Sequence, residues 1–144
     1  PPLPSPNPSP SIVGLPPAPL AAPTFTKSFN PASSVVAPVT VTVSFTIVNS
    51  SGVQLTGLNF ADSLPAGLFV ATPPNITNTC GGSAVAGGSS IALNNGTLAA
   101  NSTCAVTVQV SASIGTYINP PVTLTSNQAP PVQSAPVTLV VGAP

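Results

Sequence analysis

The sequence predicts an all-β protein: an immunoglobulin-like antiparallel β-sandwich over residues 24–144, preceded by an extended Pro-rich arm over residues 1–23. Three observations carry that expectation. Apolar and polar residues alternate with a period of two in the longest runs, most regularly in "VTVTVSFTIVN" (Val39–Asn49). No 3.6-residue pattern survives, and Gly, Pro, Asn and Ser punctuate the chain at intervals of roughly 8 to 12 residues, as in a sandwich of seven or more short strands. Ten of the 21 prolines fall in residues 1–23, a density that excludes helix and central strand. A small barrel is the fallback architecture.

The arm, "PPLPSPNPSPSIVGLPPAPLAAP", favours polyproline II, because each Pro fixes φ and removes a backbone donor. "TFTKSF" (residues 24–29) is the first β-like run. In Val39–Asn49, Val39, Val41, Val43, Phe45 and Ile47 share one face and Thr40, Thr42, Ser44 and Thr46 the other, which describes a strand with one wet face. "LTGLNFADSL" (55–64) and "LFVA" (68–71) follow. Cys80 and Cys104 flank "GGSAVAGGSSIALNNGTLAANST", a Gly-rich excursion too small and polar to hold itself by packing. A disulfide between them would staple it, contributing roughly 3 to 4 kcal/mol in the chain-entropy account and implying an oxidising compartment. Two buried free thiols are the alternative. Further strand-like runs are "SIALNNGTLA" (90–99), "CAVTVQVSA" (104–112), "YINPPVTLTS" (117–126) and "APVTLVVG" (135–142). Tyr117 reads either as a tyrosine-corner residue bonding the backbone at a strand crossing or as an interfacial aromatic. Asn-x-Ser/Thr acceptors for N-glycosylation occur at Asn49, Asn75, Asn95 and Asn101.

Composition removes several function classes. The chain has no His, Glu or Arg, and Lys27 and Asp62 are its single base and single acid. It cannot assemble a Ser-His-Asp triad, a pair of carboxylates for glycoside hydrolysis or an ordinary zinc site, so catalysis on an external substrate, a metal and a cofactor are not expected. Nucleic acid and anionic membrane surfaces both require several cations, and no apolar run reaches the roughly 18 residues of a membrane helix. The apolar fraction of 42% nevertheless argues for a folded chain.

Several segments together resemble the DUF11-type repeat modules of bacterial surface proteins. These are "TKSFNPASSVVAPVTVTVSFTIVNSSGVQLTGLNFADSLPAGLFVA", "NTCGG", "GTLAANSTCAVTVQVSA", "GTYINP" and the final "PVTLVV". That resemblance implies a secreted or surface-attached structural stalk or adhesive spacer, often in tandem. The near absence of charge and the long Pro-rich arm depart from the pattern. The sequence is also similar to fimbrial (CnaA-like) domains that form intramolecular isopeptide bonds, in which a Lys on the first strand joins an Asn near a late strand beside an Asp of a "DxLP" segment. The matching residues are Lys27, Asn119 of "GTYINP" and Asp62 of "FADSLPAG". The chemistry needs a neutral amine and a protonated acid, both of which an apolar site promotes. A partly buried Lys27–Asp62 ion pair, with Asn119 an ordinary turn residue, is the other reading.

The expected function is a structural subunit or stalk module of an extracellular filament or surface polymer, assembled through its arm. Ile12, Val13, Leu15 and Leu20 have no partner within the arm and are the expected polymer contacts, docking head-to-tail on a copy of the chain or a neighbouring repeat. The second function class is an adhesive or glycan-binding module using loops at one end of the sandwich; five Phe, one Tyr and no Trp give it little material.

Overall fold

A computed structural model describes residues 20–142. In chain order its strands are β1 (Thr24–Asn30), β2 (Ser33–Ser34), β3 (Val39–Asn49), β4 (Leu55–Ser63), β5 (Leu68–Val70), β6 (Thr77–Asn78), β7 (Ser83–Gly87), β8 (Ser90–Leu98), β9 (Ser102–Ala112), β10 (Gly115–Asn119), β11 (Thr123–Leu124), β12 (Val132–Gln133) and β13 (Val137–Val141). No helix occurs among the described residues. One layer has the order β1-β3-β9-β5, with β6 also on β9. The smaller sheets β4-β8-β7, β10-β13-β2 and β11-β12 supply the other side, and paired main-chain bonds between Asn59 and Thr125, 3.0 Å each, tie β4 to the residue that follows β11. The result is a β-sandwich whose pairings are antiparallel except that of β2 with β13.

The period-two pattern sets the core. Along β3, Val41, Val43, Phe45 and Ile47 point inward, and their partners on β9 are Val110, Val108, Val106 and Cys104. Phe60 of β4 closes the space between layers, its ring 4.6 Å from that of Phe45 and 5.3 Å from that of Phe25. These spacings are those of favourable tilted aromatic pairs. Tyr117 is buried, and its hydroxyl donates to the Ser113 carbonyl four residues upstream at 2.8 Å, the contact of the tyrosine-corner reading rather than of an interfacial aromatic.

Cys80 and Cys104 form a disulfide, with Cα atoms 5.1 Å apart. Cys80 also accepts a 2.7 Å bond from the Thr97 amide, so one residue joins β9 covalently and β8 by its carbonyl. The excursion between the cysteines departs from expectation. It forms the regular hairpin β7-β8 and buries Ile91, Leu93 and Leu98, so it packs as well as being stapled. Gly82 is required in it: φ is +64°, and a Cβ there would lie 2.2 Å from the Asn94 carbonyl oxygen.

Ile12, Val13 and Leu15 fall outside the described residues. Leu20, expected to contact a neighbour, instead packs partly buried against its own domain's core, and Pro23 is buried before β1 begins. Replacing both cysteines by Ser should lower unfolding free energy by about 3.5 kcal/mol, the loop-closure value for a separation of 24 residues. Urea denaturation followed by far-UV dichroism measures it. A folded variant with an unchanged midpoint would show that packing alone holds the hairpin.

Candidate functional site

Alternation brings the chain's only two charged side chains inside. On β1 the buried face is Phe25, Lys27 and Phe29; on β4 it includes Phe60 and Asp62; on β10 it is Tyr117 and Asn119. Lys27 is 5% exposed, Asp62 2% and Asn119 0%. The three residues predicted as a trio therefore share one buried region, delivered by three different strands.

Their contacts are specific. Asn119 Nδ2 donates to Asp62 Oδ2 at 2.8 Å. Lys27 Nζ donates to the main-chain carbonyl of Pro120 and, at 3.5 Å, to that of Asn119. Lys27 and Asp62 do not approach within the 4.0 Å of a salt bridge; the buried Asn119 contacts both, its amide donating to Asp62 and its main-chain carbonyl accepting from Lys27. Asp62 Oδ1 and Asn119 Oδ1 have no hydrogen-bond partner. Two buried acceptors without a donor cost on the order of 1 to 3 kcal/mol each. Protonation of Asp62 at Oδ1 would turn one of these unmet acceptors into a donor.

The electrostatics favour that proton. Burial raises the Asp62 pKa above 3.8, against the opposing effects of the Asn119 hydrogen bond and the Lys27 charge. Burial lowers the Lys27 pKa below 10.5, and the Asp62 charge opposes the shift. Both shifts favour neutral forms, which is the state in which an amine is nucleophilic and a carboxyl can donate.

The acceptor asparagines divide. Asn49 is 2% exposed, and its side-chain amide donates to the carbonyls of Val53 (2.8 Å) and Ala99 (3.1 Å), which closes the β3-β4 loop and leaves no room for a glycan. It is removed from the acceptor set. Asn75, Asn95 and Asn101 are exposed, each with positive φ (47°, 55° and 54°), so turn geometry already accounts for Asn at these positions. The trio is the site that neither turn chemistry nor packing explains.

The pH response separates the two buried groups. A raised carboxyl pKa means the native state holds its proton more tightly, so this contribution to stability grows as pH falls from the raised value towards 3.8. A lowered Lys pKa acts oppositely, and stability grows as pH rises towards 10.5. In a Lys27→Met variant the urea midpoint should therefore rise as pH falls towards 3.8, whereas in Asp62→Asn it should rise as pH increases towards 10.5. A midpoint that falls on acidifying Lys27→Met would contradict a carboxyl raised by burial.

No curated protein matches the chain. Among solved structures, BslA, a bacterial hydrophobin, superimposes with a TM-score of 0.55 at 12% identity, over 88% of this chain and 100% of its own. A non-cellulosomal cohesin from the hyperthermophilic archaeon Archaeoglobus fulgidus gives 0.54 at 12% identity, over 83% and 90%. At such identities the likeness establishes a β-sandwich fold and no activity. The family model described as a domain of unknown function, DUF7933, matches residues 23–141, and the chain belongs to that family.

Proposed function

We propose that this domain is a structural module of an extracellular filament, stalk or surface polymer that locks its own core covalently and joins its neighbours through residues 1–23. The observation that supports the reading most is the burial of Lys27, Asp62 and Asn119 in one contact set of an otherwise uncharged protein. Such a set suits isopeptide formation. Neutral Lys27 Nζ attacks Asn119 Cγ while protonated Asp62 donates to Asn119 Oδ1. Asp62 then takes the proton from Nζ and passes it to the departing amide nitrogen. The products are a secondary amide and one ammonia, with Asp62 regenerated. The likeness to DUF11-type modules and isopeptide-forming fimbrial domains points the same way, and the parallel pairing of β2 with β13 together with the Tyr117 corner supports an immunoglobulin-like description of the sandwich.

A bond from β1 to β10 would link residues 92 positions apart, and the disulfide fits the oxidising surroundings of a secreted protein. A glycan-binding role draws less support. Five of the six aromatic side chains are buried and only Phe69 is exposed, whereas sugar-stacking sites present aromatic faces.

Intact mass tests the cross-link. The expected protein is lighter than its sequence by one ammonia, and digestion yields a branched peptide joining the Lys27 and Asn119 regions; Lys27→Met and Asp62→Asn should both show their full masses. A deficit of one water would place the bond between Lys27 and Asp62. A full native mass would leave the trio as a hydrogen-bonded core contact and remove the locking part of the proposal.

A further inference from the structure

Among the described residues, several of the large apolar side chains left exposed gather at one end of the sandwich. Ala112 pairs with both Val39 and Leu68; the chain then passes through Ile114 to Gly115, which pairs with Val141, and Val141 pairs with Ser34. That sequence of pairings defines one pole. Around it lie Val35 (69% exposed), Val36, Ile114 and Val140, with Ile118 diagonal to Val140 on the same outer face. A cavity of about 380 Å³ opens there, lined by Ser33, Ser34, Val35, Val140 and Gly142. Thr24 pairs with Val48 at the other pole, where residues 1–23 join the domain.

We infer that this apolar pole is the receiving site for residues 11–15 of a second copy of the chain. The inference rests on the proposed polymer role and names its contact surface. Ile12, Val13 and Leu15 are the densest apolar cluster in the residues that precede Leu20, and neither they nor the pole carry any charge. Leu20 is held on its own core at only five residues from Leu15, a span of at most about 18 Å. To reach its own pole the segment would have to reverse at Leu20 and run back past the whole length of β1, from Thr24 to Asn30, about 23 Å at strand rise, which the span from Leu20 to Leu15 does not cover. A neighbour placed end to end offers its pole without the reversal. The contact is heterologous, arm of one copy on pole of the next, and it propagates without closing.

The test uses the full chain and a fluorescein-labelled synthetic peptide of residues 10–19. The peptide should bind saturably to an Ile12→Ser/Leu15→Ser protein, whose own segment is disabled, and adding Val35→Ser/Val140→Ser should weaken it roughly tenfold or more. Both valines are exposed, so these changes leave the core intact. In sedimentation and electron microscopy, unaltered protein should assemble, and either pair of substitutions should leave monomers. Assembly that needs Ile12 and Leu15 but survives the pole substitutions overturns the receiving site and leaves the polymer role standing. Protein that stays monomeric at high concentration, with no peptide binding, overturns both. A monomer whose own segment covers its pole overturns the second-copy assignment.

Discussion

Everything else in the domain hangs on the pairing of β3 with β9. Each strand is 11 residues long, and all 11 positions pair, from Val39 with Ala112 to Asn49 with Ser102. A slip of one residue would turn Val41, Val43, Phe45 and Ile47 outward and bring Thr and Ser into the core, so the alternation holds the register firmly. The neighbours inherit it. β1 docks on the free edge of β3 and thereby faces Phe25, Lys27 and Phe29 inward. β5 and β6 dock on the free edge of β9, and Cys104 on β9 fixes Cys80 and the hairpin behind it. The position of Lys27 in the core is therefore a consequence of a register set two strands away.

The long strands were legible in the sequence because each has one buried face, and the alternation reports it directly. Most of the short ones were not. β2, β6 and β12 have two residues each, too few for any periodicity, and exist because a neighbouring edge is available to pair with. β7, Ser-Ala-Val-Ala-Gly, reads as a loop from its Gly and small residues and becomes a strand through its pairing with β8. Resemblance singles out the trio, and a local signal points to it as well: two residues from Phe on either side, Lys27 must share the face of Phe25 and Phe29. Asp62 follows Phe60 by the same rule. Asn49 shows the reverse failure, since an acceptor motif says nothing of burial, and its inward direction follows only from continuing the β3 pattern past Ile47.

The placement of the trio matters mechanically. The described chain enters through β1 and leaves through β13, and β13 is paired along its whole length with β10. Lys27 on β1 reaches the Asn119–Pro120 backbone at the end of β10. A pull on the two ends of the described chain is thus met by the β1-β3 ladder and by the contact from Lys27 to the end of β10, which β10 passes on to β13. Hydrogen bonds here resist weakly, because each is worth only about 1 kcal/mol net. A covalent bond between Lys27 and Asn119 would carry tension from β1 to β10 without loading the β1-β3 ladder, which is what the proposed structural role would require of the three strands that meet here.

Burying Lys27 and Asp62 also decides what the surface can be. Both charged side chains of the protein are inside, so no ionisable side chain remains outside. Natural sheets often blunt their edges with Lys, a device this chain does not use. It relies on brevity, bulges and proline: β2, β5 and β6 are two or three residues long, register shifts interrupt β4, and Pro23 and Pro31 bracket β1. Association between copies, as proposed, would owe nothing to charge steering or to like-charge repulsion, and ionic strength has little to screen. Specificity must come from shape and from which apolar side chains are left uncovered. In the proposed polymer, shape and the placement of uncovered apolar side chains, rather than charge, would decide between an end-to-end contact at the apolar pole and lateral contacts along the sheets.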